Sequence, residues 1–180
     1  MTLTLANHLT LLRLTAIPFL ILFLSYPYKW CSFLSALIFF LAILTDFLDG
    51  FFARRQKQIT TLGKLLDPLA DKLLITAALI MLISLKRVPA WMAFLIIARE
   101  IAVTGLRSIL ASEGIVLAAS KKGKWKFVLQ SLAIFCLILH YPYFNIDFHK
   151  IGIILLWIAI FFTLWSGIKY FMQFYKAISK

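Results

Sequence analysis

Six apolar segments, each near the length of a membrane-spanning helix, constrain the fold of this chain more than any other feature. A helix that crosses the hydrocarbon core of a bilayer needs about 20 mostly apolar residues. The segments run approximately over Leu9–Tyr28, Trp30–Phe52, Leu65–Leu85, Pro89–Ala111, Trp125–His140 and Ile151–Tyr175. With 63% hydrophobic residues among 180, the chain has more apolar surface than a soluble core of this size buries. The sequence therefore predicts an all-α integral membrane protein with six transmembrane helices in a single domain, residues 1–180.

The basic residues predict how these helices are oriented. The formal net charge is +12, and the connections on one side carry most of it: Arg54, Arg55, Lys57, Lys64, Lys121, Lys122, Lys124, Lys126, Lys176 and Lys180. The opposite connections hold only Lys29, Lys86, Arg87 and Lys150. Because cytoplasmic loops are enriched in Lys and Arg, both termini are expected in the cytoplasm. No soluble basic domain accompanies the charge, so we expect contacts with anionic membrane lipids and no nucleic-acid partner.

Four aspartates lie close together in the chain, at Asp46, Asp49, Asp67 and Asp71, and they make up four of its seven acidic residues. Carboxylates are costly near hydrocarbon, so such a group indicates a functional site. Residues three or four apart share a helix face, and two helices joined by a short connection are antiparallel neighbours. The four acids are therefore expected to meet near the cytoplasmic interface. Facing carboxylates repel unless they are protonated, paired with cations or bridged by metal ions, and Mg²⁺ prefers oxygen ligands.

Other interpretations of these residues remain open. The aspartates could form an ion-pair network with the nearby basic residues Arg54, Arg55, Lys64 and Lys72. Gly50 and Gly63 would let a large ligand approach the backbone, although glycine also packs membrane helices together. Asp67-Pro68 could mark the start of the third helix. A non-enzymatic transporter would spread its charges through the midplane, whereas here the acids gather at one interface.

The stretch Asp46-x-x-Asp49-Gly50-x-x-Ala53-Arg54, followed after eight residues by Gly63-x-x-x-Asp67-x-x-x-Asp71, resembles the signature of the CDP-alcohol phosphotransferase family. Every fixed position of that motif is matched, which makes the signal specific. The resemblance implies a six-helix membrane bundle, usually homodimeric, that moves a phosphatidyl or related group from a CDP-linked donor to an alcohol and releases CMP. It also implies an inner (cytoplasmic) membrane location in a bacterium, with a cytoplasmic active site.

Roles for the motif residues follow from the same resemblance. It implies that Asp46, Asp49, Asp67 and Asp71 bind one or two Mg²⁺ or Mn²⁺ ions, and that Asp71 is also the catalytic base. The residues expected around the cytidine diphosphate are Gly50, Ala53, Arg54 and Gly63. A carboxylate within reach of the attacking hydroxyl can take its proton, and metal ions neutralise a pyrophosphate.

Further positions resemble the family members that use sn-glycerol 3-phosphate as acceptor and CDP-diacylglycerol as donor. They are Asn7-x-x-Thr10-x-x-Arg13, Arg99-Glu100, Leu106-Arg107, and Gly123-Lys124-x-Lys126 with Gln130. The resemblance implies that Arg107 and Lys124, with Arg99 and Lys126 nearby, hold the acceptor phosphate. It also implies that Asn7, Thr10 and Arg13 close the nucleotide pocket from the first helix. Trp125 and Phe127 depart from the commonest form of the loop.

Alternatives also exist for the acceptor residues. Glu100 and Arg107 lie on nearly the same helix face and could form a structural pair, with Arg99 orienting a neighbour. The lysine run could simply contact anionic lipid. Asn7, Thr10 and Arg13 could cap and anchor their helix without binding the nucleotide. The acceptor could also be inositol phosphate, serine or another phospholipid.

Overall fold

The computed structural model describes residues 5–56, 61–112, 121–143 and 145–178, with side chains described for residues 10–45, 69–111, 126–143 and 145–175. The described chain forms six α-helices, so the all-α prediction is confirmed. They are α1 Leu5–Leu24, α2 Lys29–Gln56, α3 Thr61–Ser84, α4 Ala90–Ser112, α5 Lys121–Leu139 and α6 Phe148–Ile178.

The helices extend beyond the apolar segments that predicted them, mainly at their polar ends. α3 begins at Thr61 and α5 at Lys121, each four residues before the expected start. Hydropathy marks the apolar part of a helix, whereas its terminal turns can be polar. α1 instead ends at Leu24, before the expected end at Tyr28. Pro27 explains this end, because a proline pushes the preceding residue out of helical geometry.

The turn between α3 and α4 is closed by backbone hydrogen bonds at the end of α3. Lys86 has φ 56°, and the Arg87 amide donates to the Leu82 carbonyl over 2.9 Å. A left-handed residue just past a helix, with a bond back to its last turn, satisfies carbonyls that would otherwise lack a donor. His140, directly after α5, also has φ 56°. A left-handed residue therefore marks the end of both α3 and α5.

The core of the bundle lies where α1 packs on α2 and α3, and where α5 packs on α2 and α6. α4 packs mainly on α6. Fully buried side chains from these interfaces include Leu20, Phe39, Leu79, Ile96 and Leu137. Close packing of these side chains stabilises the bundle through van der Waals contacts. Two arginines of α4, Arg99 and Arg107, hydrogen-bond across the α4–α6 interface.

Large apolar side chains also cover much of the outer surface. Phe94, Ile101, Phe161 and Ile168 are each more than 60% exposed. In the described part of the chain, one helical stretch, Phe148–Tyr175, is long and apolar enough to cross a membrane, and its mean hydropathy is 2.3. Shorter apolar helical stretches occupy Thr10–Leu24, Lys29–Thr45 and Lys126–Leu139. An exposed apolar surface of this kind needs a partner or a lipid environment.

The alternating helices give the bundle two distinct ends. We call the end where α2 stops and α3 starts the aspartate end; α4 and α6 also stop there, and α5 starts there. At the opposite, loop end, Arg87 joins two helices: it donates to Ser32 of α2 over 3.0 Å and to the Ile138 carbonyl of α5 over 2.8 Å. The Tyr141 hydroxyl donates to the Pro27 carbonyl over 2.7 Å at this end.

Candidate active site

The backbone places all four aspartates on the two helices that meet at the aspartate end. Asp46 and Asp49 lie in the last turns of α2, and Asp67 and Asp71 lie within α3. Asp67 follows the first residue of α3 by six positions, so the alternative in which Asp67 and Pro68 start this helix is wrong. The side chains of Asp46, Asp49 and Asp67 lie outside the described part, as do Gly50, Ala53, Arg54 and Gly63. Their convergence around a ligand therefore stays a prediction.

Among the four aspartates of the motif, Asp71 is the one whose side chain is described. It is partly buried, and its Oδ1 atom is shielded from solvent. The next residue, Lys72, donates from Nζ to Thr104 Oγ1 over 2.5 Å, and Thr104 in turn donates to the Glu100 carbonyl over 2.7 Å. This chain of bonds joins the middle of α3 to α4. It brings the helix turn that carries Asp71 beside the polar part of α4.

α1 contributes two buried polar residues at the aspartate end. Thr10 has no exposed surface and Arg13 is 1% exposed. Arg13 Nε donates to the carbonyl of Ala42 over 3.3 Å, one turn before Asp46 on α2. α1 begins at Leu5, so Thr10 and Arg13 lie inside the helix and do not cap it. The side chain of Asn7 lies outside the described residues.

Three cationic residues gather where α4, α5 and α6 meet. Lys126 of α5 forms a salt bridge with Glu100, and Arg99 Nη1 lies 3.5 Å from the same carboxylate oxygen. Arg107 instead contacts α6, where its Nη2 donates to the Tyr170 hydroxyl over 2.5 Å. The described contacts of Glu100 are thus with Lys126 and Arg99 rather than with Arg107.

This cluster holds an excess of positive charge. Glu100 offsets one of the three cations Arg99, Arg107 and Lys126, which leaves two positive charges in the described cluster. Lys126 is 4% exposed, whereas Arg107 is exposed at the surface of the bundle. Guanidinium groups bind phosphate through paired N–H donors, so an exposed arginine backed by further positive charge suits a phosphate dianion. The side chain of Lys124 lies outside the described part.

Sequence reasoning missed the α6 side of this cluster. Ser166 accepts a hydrogen bond from Arg99 Nη2 over 2.8 Å, and Tyr170 is 6% exposed beneath Arg107. A signal was present in the sequence: Thr163, Ser166, Gly167 and Tyr170 recur at helical spacing within an otherwise apolar segment. Polar and small residues at this spacing form one face of a helix. That face is buried against α4.

An apolar groove of about 420 Å³ lies between α1 and α3. Its walls include Leu14 and Pro18 of α1 and Leu73 and Ala77 of α3. The groove begins one residue after Arg13 and two residues after Asp71, and continues away from the aspartate end. Its lining is almost entirely hydrocarbon, so its chemistry suits an alkyl chain rather than a polar ligand.

Comparison with known proteins identifies the class to which this fold and these residues belong. A family model described as CDP-alcohol phosphatidyltransferase matches residues 3–165. The chain belongs to this family, and the prediction made from the aspartate motif is confirmed.

Three similar proteins from different bacteria share one name. One from Bacillus subtilis (strain 168) is 40% identical over 186 residues, covering 97% of this chain and 96% of that protein. One from Rickettsia bellii is 42% identical over 168 residues, covering 93% of each chain. One from Haemophilus influenzae is 40% identical over 167 residues, covering 90% of this chain and 88% of its own. All three are named CDP-diacylglycerol--glycerol-3-phosphate 3-phosphatidyltransferase.

Proposed function

We propose that this chain transfers the phosphatidyl group of CDP-diacylglycerol to sn-glycerol 3-phosphate, giving phosphatidylglycerol phosphate and CMP. The observation that carries the proposal is the cationic cluster of Arg99, Arg107 and Lys126. Lys72, in the middle of α3, bonds to Thr104 of α4 and so holds the helix turn that carries Asp71 against the helix that carries Arg99 and Arg107. An acceptor that is itself a phosphate ester needs such a cluster, whereas serine does not. The names of the similar proteins support the same substrates.

In this reaction the primary hydroxyl of glycerol 3-phosphate attacks the phosphorus that carries the diacylglycerol. The new bond joins the hydroxyl oxygen to that phosphorus, and the bond to the bridging pyrophosphate oxygen breaks, so that its electron pair leaves with CMP. Asp71 takes the hydroxyl proton. Arg107, with Arg99 behind it, holds the phosphate of the acceptor, because orientation of the two reactants supplies much of the rate in such transfers.

The donor set of the motif suits hard divalent cations. Asp46, Asp49, Asp67 and Asp71 offer only carboxylate oxygens, which are the ligands that Mg²⁺ and Mn²⁺ prefer. Bound there, such ions would neutralise the pyrophosphate and polarise the phosphorus under attack. Gly50, Ala53, Arg54 and Gly63 would surround the cytidine diphosphate, with Asn7, Thr10 and Arg13 closing the pocket from α1. Lys124 and Lys126 would add to the positive field around the acceptor.

The proposed setting is the inner membrane of a bacterium, with six spanning helices, a homodimeric assembly and a cytoplasmic active site. The exposed apolar residues of α4 and α6 support a lipid-facing surface. The apolar groove between α1 and α3 would receive an acyl chain of the donor, since it begins beside Arg13 and Asp71. The lysines and arginines of the connections at the aspartate end support its cytoplasmic position.

An acceptor panel tests the proposal. Purified protein in detergent micelles with CDP-diacylglycerol and Mg²⁺ is offered glycerol 3-phosphate, inositol phosphate or serine, and CMP release is measured. We expect CMP with glycerol 3-phosphate, together with a lipid product that carries two phosphates. Faster release with another acceptor would overturn the assignment of substrate. Movement of solute into liposomes without CMP release would overturn the assignment as an enzyme.

A further inference from the structure

Two arginines that are far apart along α4 converge on one aromatic ring of α6. Arg99 and Arg107 are eight residues apart, which corresponds to about 12 Å along a helix axis. Even so, their guanidinium carbons lie 5.8 Å and 4.8 Å from the centre of the Tyr170 ring. The face of an aromatic ring attracts cations, and a buried tyrosine keeps its ring in one place. The Tyr170 ring thus offsets part of the repulsion between the two positive charges.

The phenolic oxygen of Tyr170 also forms a directional hydrogen bond with Arg107. It accepts a hydrogen bond from Arg107 Nη2 over 2.5 Å. The guanidinium of a long, exposed side chain would otherwise sample many rotamers, and fixing one costs entropy when a ligand binds. Tyr170 fixes Arg107 before any ligand binds. Less of the free energy of acceptor binding is therefore lost in ordering the Arg107 side chain.

Neighbouring residues of α6 fix Arg99 in a similar way. Ser166 Oγ accepts from Arg99 Nη2 over 2.8 Å and donates to the Thr163 carbonyl over 3.0 Å. At Gly167, a Cβ atom would lie 3.3 Å from Arg99 Cγ, so the absence of a side chain at this position leaves space for Arg99. The α6 face that carries Ser166, Gly167 and Tyr170 therefore holds both arginines of α4.

We propose that Tyr170 is a positioning residue for the acceptor: through its ring and its hydroxyl it aims Arg107 and Arg99 at the acceptor phosphate. This inference rests on the proposed function, in which those arginines bind that phosphate. It assigns to α6, which lies outside the aspartate motif, a specific part in acceptor affinity. Tyr170 acts on the acceptor side only, so the affinity for CDP-diacylglycerol does not depend on it.

Two substitutions distinguish the role of the Tyr170 ring from that of its hydroxyl. Tyr170→Phe keeps the ring and removes the oxygen, and we expect the KM for glycerol 3-phosphate to rise about tenfold, as expected for a lost hydrogen bond to a charged group. Tyr170→Leu removes the ring as well and should raise this KM further. The KM for CDP-diacylglycerol should change less than about twofold in both variants. Tyr175→Phe is the matched control, because Tyr175 lies on the same helix and is 76% exposed.

A double-mutant cycle tests whether Tyr170 acts through Arg107. In an Arg107→Ala background, Tyr170→Phe should add little to the KM for glycerol 3-phosphate, since the guanidinium that the oxygen positions is gone. Full additivity of the two effects would overturn the mechanism. Ser166→Ala gives a second measurement on the same face and should also raise this KM selectively.

The remaining outcomes are equally decisive. An unchanged KM for glycerol 3-phosphate in a folded Tyr170→Phe protein would overturn the proposal. A parallel rise in both KM values with a lower Tm would show a merely structural role and would also overturn it. If Tyr170→Leu fails to fold, the near-isosteric Tyr170→Phe decides alone. Failure of the proposed function is distinguishable, because wild-type protein would then not release CMP with glycerol 3-phosphate at all.

Discussion

Arg107 and Tyr170 meet across the interface of α4 and α6, where the guanidinium both hydrogen-bonds to the phenolic oxygen over 2.5 Å and lies 4.8 Å from the centre of the ring. This contact replaces the pairing with Glu100 that helix periodicity alone suggested. Glu100 is bound by Lys126 and Arg99 instead. Arg107 therefore remains a cation at the surface of the bundle, next to a neutral partner.

Replacement of Arg107 tests its assignment to the acceptor. Arg107→Ala should raise the KM for glycerol 3-phosphate about 10- to 100-fold, because an arginine–phosphate contact is a charge-assisted hydrogen bond. The KM for CDP-diacylglycerol should stay nearly constant. Steady-state rates of CMP release, with each substrate varied in turn, provide the measurement. Arg107→Lys serves as the control and should recover part of the loss, since it keeps the charge but not the paired donors. Equal changes in both KM values would instead make Arg107 a structural residue.

Asp71→Asn tests the proposed base. The substitution keeps the size of the side chain and removes its ability to accept a proton, so we expect kcat to fall by at least about 100-fold. The helical circular dichroism spectrum and the Tm should change little. Asp147→Asn, the same substitution outside the motif and at the loop end, controls for the loss of one carboxylate. Full turnover by Asp71→Asn protein would remove Asp71 from the mechanism.

The sequence predicted some parts of this structure well and others poorly, for physical reasons. Hydropathy located the six helices of the described residues, because an apolar segment of this length usually forms a helix, but it missed their polar end turns. The aspartate motif identified the family, since its carboxylate spacing follows from one chemistry. Tyr170 was missed, because its partners Arg99 and Arg107 lie more than 60 residues away in the chain. Long-range pairs of this kind leave only a weak periodic signal in one sequence.

Removal of divalent cations tests the metal assignment. Excess chelator should abolish CMP release, and added Mg²⁺ or Mn²⁺ should restore it, because the carboxylates of the motif would otherwise repel both each other and the pyrophosphate. Ca²⁺ at the same concentration is the control: it binds oxygen ligands with a looser geometry and should restore less activity. Undiminished turnover in chelator would contradict a role for metal ions.

Asp147 at the start of α6 gives a prediction about pH. Its Oδ1 accepts the backbone N–H of Lys150 over 3.1 Å, and this bond, with further contacts from Lys150, lowers the pKa of the carboxyl below its ordinary value. A lowered folded-state pKa means that the stabilisation is present above the unfolded-state pKa, about 3.9, and is lost as pH falls through the folded-state pKa. Thermal unfolding of wild type should therefore show a loss of Tm in this acidic range that Asp147→Asn lacks. Identical pH profiles would contradict the linkage.

Arg87 should matter for stability and not for chemistry. It is 5% exposed at the loop end, donates to Ser32 and to the Ile138 carbonyl, and lies over the ring of Tyr141. Burial lowers the pKa of its guanidinium, and Tyr141 partly offsets this effect. Arg87→Met fills the space but leaves these acceptors without a donor, which should cost about 2–4 kcal/mol of unfolding free energy.

The measurement is thermal denaturation in detergent, with turnover assayed well below the Tm. Arg87→Lys should fall between wild type and Arg87→Met, because one ammonium cannot span acceptors on both α2 and α5 as a guanidinium does. Lys86→Met is the matched control, since the neighbouring Lys86 is exposed and its loss should leave the Tm nearly unchanged. Turnover per folded molecule should stay near wild type in all three variants, because Arg87 lies at the end of the bundle opposite the aspartates. A large fall in kcat at an unchanged Tm would show instead that the loop end takes part in the reaction.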